Sequence, residues 1–385
     1  MSLWPAGCSM KEQAANNPGQ EVVLLISIDG FRHDYIDLTE TPAFDRLMSD
    51  GVRASSLIPV FPSKTFPNHY SIVTGLYPEH HGIVANTMVD TVFGETFRIG
   101  AGSPTAQDGK WYGGEPVWVT AETQGKTAAT FFWPGSDAEI NGVRPTHYRV
   151  FDNSIAYEDR VDQVLSWLAM PSGQRPDFIS LYFESVDSRG HEQGPASPGT
   201  LAEVRNIDRH LGDLLDGIAA AGLSDRVNVL VVSDHGMAQL SRDRVIFLDD
   251  YIDPDQDADI VNWSPVTDFI PARGTDSTFV AALRGAHPHY EVYAKSEIPD
   301  DLHYRDHYRI SPVIGIADEG WSVTTRSYFD SHPEAFQGGN HGYKPGHQSM
   351  HGIFVASGPS FARGLTTPSL QAVDIYALMC HILAL

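Results

Sequence analysis

The sequence predicts an α/β protein: a doubly wound, mostly parallel sheet with helices on both faces, plus a small α+β cap insert. Three observations carry this. Unbroken apolar runs of strand length recur along the chain, several of them end in an acid or an acid–histidine pair, and segments of helical period alternate with them. A strand covered on both faces needs no polar side, so it reads as continuous Val, Ile and Leu, which is the pattern of a parallel sheet under helices.

Val22–Ile28 is the first such run and ends at Asp29-Gly30. A carboxylate therefore stands at the carboxyl edge of a central strand, the edge where open α/β sheets place their sites. Residues 41–51 follow as a helix, with Thr41 as N-cap, Pro42 at N1 and Gly51 at the end. In residues 61–75, Pro67 suits a first helical turn and Gly75 its end. Thr65 then lies at a helix amino terminus, where unpaired N–H groups and the helix dipole favour an anion. Residues 177–183 form a strand that reaches Glu184 and Asp187. Ser197-Pro198 opens a long helix with Leu201, Val204, Ile207, Leu211 and Leu214 on one face. Val227–Val232 is another buried strand and runs into Ser233-Asp234-His235-Gly236. Residues 353–356 are a late strand, and 368–385 a closing helix. Two stretches break the alternation: residues 87–125 read as loops near the site, and 251–339 as a smaller α+β cap with strands at 290–293 and 323–326. The expected division is a flexible polar arm over 1–20, a catalytic α/β core of 21–250 and 340–385, and the cap of 251–339.

Composition narrows the function. With 42% apolar and 19% charged residues in 385, the chain is of globular type. The 26 basic and 49 acidic residues leave a net charge of −23, which repels nucleic-acid backbones and excludes a broad polymer-phosphate surface. A small anionic substrate requires a site with its own positive charge, and metal is the ready source. No apolar run approaches the roughly 20 residues of a transmembrane span. Cys8 and Cys380 form neither a disulfide framework nor a thiolate zinc site. Residues 3–9 resemble a bacterial lipoprotein cleavage site, with the polar arm as a tether from Cys8; the other reading is a plain disordered end. The sequence sets no oligomeric state.

Acids and histidines collect at the predicted strand exits: Asp29, Asp187 with His191, Asp234 with His235, and His341 in Asn340-His341-Gly342. Any one alone reads as a cap, turn or surface group. Together they suggest a metal site, and oxygen and imidazole ligands without cysteine suit zinc, with manganese or iron as lesser options. The Thr65 hydroxyl is either a simple N-cap or a nucleophile, which metal coordination would convert to an alkoxide.

Several ordered motifs now bear on one another: residues 28–32 (IDGFR), 65–70 (TFPNHY), 114–118 (GEPVW), 133–136 (WPGS), 232–237 (VSDHGM) and 340–343 (NHGY). Together, over residue 21 to the end, the chain resembles the nucleotide pyrophosphatase/phosphodiesterase (type I phosphodiesterase) family of the alkaline phosphatase superfamily. The resemblance implies two Zn2+. One would be held by Asp187, His191 and His341, the other by Asp29, Asp234 and His235 with Thr65 as reactive ligand. It implies in-line attack of Thr65 on phosphorus and hydrolysis of the resulting intermediate by water. Asn86, with the backbone N–H near Phe66, would hold a non-bridging oxygen, and Phe66 and Phe151 would sandwich a nucleobase. It implies a small nucleotide or phosphodiester substrate, split to release a nucleoside monophosphate, and a periplasmic or otherwise extracytoplasmic location. One departure stands out: Lys344 follows Tyr343 where the family usually has Asp, which removes a carboxylate near His341. His347 and His351 compete with His341 as third ligand, and His341 is preferred. Lys64 is expected to point away from Thr65 and take no part, and His69, His80 and His81 to be structural. The alternatives are a phosphomonoesterase, a phosphonoacetate-type hydrolase, a choline- or lipid-directed phosphodiesterase, or a nucleotide binder without turnover. Extra cationic charge near Thr65 would favour monoester dianions.

Overall fold

The computed structural model describes residues 21–272 and 276–385. The arm of residues 1–20, with Cys8 and its tether reading, lies outside the described residues. Strand β1 (Val22–Ile28) is buried at every residue. Its side chains alternate between two cores. Val23 and Leu25 enter one, and Val22, Leu24, Ile26 and Ile28 enter the other. This is the two-residue period of a strand covered on both sides.

The remaining strands of the main sheet are β2 (Gly51–Ala54), β3 (Ala128–Phe131), β4 (His147–Arg149), β5 (Phe178–Phe183), β6 (Val227–Val232), β7 (Phe354–Ser357) and β8 (Leu365–Thr367). Their order is β8-β2-β7-β6-β1-β5-β3-β4. β1 pairs in parallel with both β5 and β6, so the exits that carry Asp29, Asp187 and Asp234 converge on one edge. β7 is antiparallel to its neighbours β2 and β6. It therefore starts where β6 ends, with Phe354 opposite Val232. That reversal delivers the preceding segment, with His341, to the same edge.

Five helices matter to the site: α1 (Pro42–Asp50), α2 (Thr65–Thr74), α3 (Ser185–Gln193), α4 (Pro198–Ala220) and α5 (Asp374–Leu383). Thr41 occupies the N-cap of α1, but its side chain makes no cap bond. Asp208 of α4 accepts the Ala43 and Phe44 N–H groups instead, each at 3.0 Å. α2 begins at Thr65 with Lys64 as an extended N-cap residue (φ −113°, ψ 154°) and ends at Gly75 in the left-handed region. Among the described residues no helix is long and apolar enough to cross a membrane.

Three segment readings are corrected. Residues 87–125 are not all loop: Thr87–Asp90 and Glu95–Arg98 form a hairpin, and Val117–Thr123 is a helix. The closing helix starts at Asp374 rather than 368, and Leu370–Gln371 instead pairs with Leu57–Ile58. Pro368 keeps Thr367 out of helical geometry, so the chain stays extended there. Only Ser322–Thr324 is strand in 323–326, paired with Val245–Phe247, and Arg326 already opens a helix. Within 251–339 the strands Ala258–Asn262, Val266–Pro271, Val313–Ala317 and Tyr290–Ala294 form, in that order, a separate antiparallel sheet. It has its own apolar cluster around Phe269, Leu283 and Val313.

Candidate active site

Asp29, Asp234, His235 and Thr65 meet at the exits of β1 and β6 and the start of α2. His235 Nδ1 lies 2.9 Å from the Gly236 carbonyl. That contact keeps a proton on Nδ1 and turns Nε2 toward the acids. Nε2 is 3.0 Å from Asp234 Oδ2, 3.4 Å from Asp29 Oδ1 and 3.5 Å from Thr65 Oγ1. Asp187 and His191 stand one turn apart on α3, with His191 Nε2 3.5 Å from Asp187 Oδ1. His341 Nε2 approaches the same oxygen at 3.8 Å. The rings of His235 and His341 stack with centroids 3.6 Å apart, so the two sets adjoin. The ligand atoms of Asp29, Asp234 and His235 all lie within 4.8 Å of one another, as do those of Asp187, His235 and His341. His191, expected in the second set, falls in neither group: it stands beside Asp187 with its Nδ1 2.9 Å from the Gly339 carbonyl.

Three buried oxygens here have no hydrogen-bond donor: Asp29 Oδ1, Asp187 Oδ1 and Asp234 Oδ2. A buried, unpartnered carboxylate oxygen is costly unless a cation answers it. Three of them converging on imidazole Nε2 atoms could hold metal ions. The titration pattern agrees. Burial, with the charges of Asp234 and Asp187, holds the Asp29 carboxyl well above its ordinary range. Burial also works upward on Asp234, but His235 and His69 outweigh it and hold this group well below. Burial, reinforced by His235, Lys64 and His191, keeps His341 neutral with its lone pair available. Its Nδ1 lies 2.8 Å from the Ser63 carbonyl, which orients the ring without a carboxylate, so Lys344 removes no partner from it. Lys344 instead pairs with Glu291 of the second sheet. His347 pairs with Glu319 at 3.3 Å, and both ring nitrogens of His351 are engaged, by Ser56 and the Pro345 carbonyl.

Phe66 and Phe151 line one cavity of about 240 Å³ together with Asp29, Thr65 and Asp187. Asn86 lines a neighbouring cavity with Lys64. Asn86 Oδ1 accepts the Phe66 N–H at 3.0 Å, so the backbone donor expected to share a phosphate oxygen with Asn86 is bonded to Asn86 itself. Lys64 is the extended N-cap residue of α2. Its ammonium lies by Gly342, forms no ion pair among the described residues, and burial lowers its pKa to about 8.

Sequence reasoning read His69 as structural without naming its partners, and missed Tyr182 and Ser63. His69 hydrogen-bonds the Thr65 carbonyl at 2.9 Å through Nδ1, which is also 3.3 Å from Asp234 Oδ2, and its Nε2 meets Ser27 Oγ at 2.8 Å. The signal was present: His69 is four residues from Thr65 and so on the same helix face. The Tyr182 hydroxyl donates to Asp29 Oδ2 at 2.6 Å. The Ser63 hydroxyl accepts the Gly342 N–H at 3.0 Å and donates to the Tyr343 carbonyl at 2.8 Å, tying the His341 loop to the start of α2. Gly342 has φ +111°, and a Cβ there would come within 2.5 Å of Lys64 Cε. Gly342→Ala is expected to cost about 2 kcal/mol of stability through that φ, since the end of the Lys64 side chain can swing aside, and to lower turnover, read from Tm and kcat; an unchanged Tm would contradict the backbone strain.

A mostly parallel α/β sheet whose carboxyl edge gathers two adjoining carboxylate–histidine sets beside a helix-borne threonine defines an alkaline phosphatase-like, metal-dependent hydrolase. The chain belongs to the type I phosphodiesterase/nucleotide pyrophosphatase family, whose model matches residues 23–344. It is 38% identical to the human ectonucleotide pyrophosphatase/phosphodiesterase family member 5, across 98% of this chain and 77% of that protein. It is 37% identical to a Xenopus laevis bis(5'-adenosyl)-triphosphatase, across 97% of this chain and 80% of that one. The murine ectonucleotide pyrophosphatase/phosphodiesterase 5, solved as an inactive threonine-to-alanine variant in complex with AMP, superposes with a TM-score of 0.89. It is 38% identical over 95% of each chain.

Proposed function

We propose that the protein is a two-zinc nucleotide pyrophosphatase/phosphodiesterase that splits nucleotide phosphodiester and phosphoanhydride bonds and releases a nucleoside monophosphate. The observation that carries this is Thr65 Oγ1, at the start of α2 and 3.5 Å from His235 Nε2, among three donorless carboxylate oxygens. Asp29, Asp234, His235 and Thr65 would hold one zinc, and Asp187, His191 and His341 the other. When bound, the metals supply charge that offsets the acids, polarise the phosphoryl group and favour the ionised hydroxyl. Thr65 Oγ1 attacks phosphorus, the bond to the leaving oxygen breaks, and water later cleaves the phosphothreonine to regenerate the hydroxyl. His69 and Tyr182 hold Thr65, Asp234 and Asp29 in place, and the α2 amino terminus favours the anion. Phe66 and Phe151 bind the base of the retained nucleotide, and Asn86 orients a phosphoryl oxygen through its Nδ2 group. In this reading residues 251–339 act as a cap on a core of 21–250 and 340–385. The enzyme works outside the cytoplasm, as the names of its ectonucleotide relatives suggest.

Lys64 supports a second reading. A half-buried ammonium beside the site suits a monoester dianion and so a phosphomonoesterase. Turnover of bis-p-nitrophenyl phosphate against p-nitrophenyl phosphate separates the two. Faster diester cleavage, abolished by chelator, is expected; faster monoester cleavage would move the assignment to the second reading.

A further inference from the structure

Arg160, in the helix Tyr157–Leu168, is wholly buried behind the exit of β5. Its Nη1 donates to the Tyr182 carbonyl at 2.8 Å and to Glu184 Oε2 at 2.7 Å. Its Nη2 donates to Glu184 Oε1 at 2.9 Å and its Nε to the Ile155 carbonyl at 3.1 Å. The guanidinium carbon lies 4.6 Å from the centre of the Tyr157 ring and 5.0 Å from that of Phe132. Burying a guanidinium is costly, and apolar side chains of like volume in place of a buried ion pair are often as stable or more so. Stability alone therefore gives this pair no reason to stand beside an apolar core, and its use lies in what it holds.

It holds the supports of Asp29 and Asp187, one acid from each candidate ligand set. Tyr182 and Glu184 flank Phe183, whose carbonyl accepts the Asp29 N–H at 2.9 Å. The Tyr182 hydroxyl donates to the Asp29 carboxylate at 2.6 Å. Glu184 is the N-cap residue of α3, which bears Asp187 in its first turn. The Glu184 carboxylate makes no cap bond, because both its oxygens are taken by Arg160. The Ser185 N–H is accepted instead by the Tyr157 hydroxyl at 3.0 Å, from the same helix as Arg160. One helix thus ties down the Tyr182 carbonyl, the Glu184 carboxylate and the Ser185 N–H. Neither Asp29 Oδ1 nor Asp187 Oδ1 has a hydrogen-bond donor of its own, so the place of each rests on the backbone that carries it and, for Asp29, on Tyr182.

We propose that Arg160 is a positioning residue that registers the two metal-ligand sets against each other. Through Tyr182 it holds Asp29, and through Glu184 it holds the head of the helix that carries Asp187. The role rests on the two-metal reading of these acids and histidines. Lysine in its place keeps the charge but has no planar fork, so it cannot serve the Tyr182 carbonyl and both Glu184 oxygens together. The test is zinc titration of the folded protein, well below its Tm, against a competing chelator, with a melting curve on the same preparation. Arg160→Lys is expected to weaken the binding of both zinc ions about tenfold, the loss usual when a group that orients metal ligands is changed. Glu184→Asp keeps the carboxylate but draws it back from the fork. Aspartate is itself a favourable N-cap, so this variant is expected to fold, to weaken zinc in the same direction, and to decide the matter should Arg160→Lys not fold. Zinc affinities unmoved in these variants, with only Tm lowered, would make the pair a matter of stability and overturn the proposal. A loss confined to one of the two ions would overturn the shared registration as well. A wild type that binds no zinc would overturn the two-metal reading and this role with it.

Discussion

Thr65→Ala is expected to lower diesterase kcat by about 10⁴-fold or more while leaving the fold intact. The size follows from the role. A nucleophile that forms the covalent intermediate has no substitute in the site, and removing such a group costs most of the chemical acceleration. The selectivity follows from the contacts. The Thr65 hydroxyl makes one long contact, 3.5 Å to His235 Nε2, whereas the helix is anchored by other atoms: the Thr65 carbonyl to His69, and the Asn68 side chain to the Val60, Pro62 and Lys64 carbonyls. Truncation should change stability by no more than about 0.5 kcal/mol. Thr65→Ser keeps the hydroxyl and should retain measurable turnover. Steady-state kinetics, a melting curve and metal content on the same preparations check this. An alanine variant that keeps a tenth of wild-type kcat would remove Thr65 from the chemistry.

What could be read from the sequence follows the physics of each element. Val22–Ile28 and Val227–Val232 were legible because burial on both faces leaves each run apolar but for one residue, Ser27 and Asn228, and their exits are fixed by the first acid after the run. Thr65 was legible because Pro67 and Gly75 bracket its helix. The supports were not, because they depend on strand pairing. Tyr182 reads as one more core aromatic of β5. Its hydroxyl reaches Asp29 only because the register sets Ser27 beside Tyr182, which no local pattern encodes. The hairpin in residues 87–98 was read as loop for a related reason. Of its paired residues Met88 and Phe97 face each other and are buried, but the tip carries exposed Val92 and Phe93, so hydrophobicity does not alternate cleanly.

Metal removal should abolish activity and lower Tm by roughly 5 °C, the shift expected when a ligand held at about a hundredfold over its Kd is withdrawn from a large chain. The cause is the three donorless oxygens: without cations, Asp29, Asp187 and Asp234 repel across a buried space. The loss should also depend on pH, and the sign can be worked out. Asp29 has a raised pKa in the folded protein, so its contribution to metal-free stability falls as pH rises above the ordinary carboxyl value. His235 behaves alike. Burial lowers its pKa but Asp234 raises it further, so the folded state holds its proton longer than the unfolded chain, and that stabilisation is lost as pH climbs past the ordinary 6.5. His341 runs the other way, because its folded pKa is depressed, but its term is complete once pH exceeds that same value. Between about pH 6.5 and 8, before the depressed Lys64 begins to favour the folded state, the metal-free protein therefore weakens with rising pH. Metal binding strengthens over the same range, since its ligands must be deprotonated. The gap in Tm between metal-loaded and chelated protein should be wider at about pH 8 than at about pH 6, as differential scanning calorimetry would read it. A gap that narrows would mean that the acids and histidines at these strand exits are paired with one another rather than poised for cations.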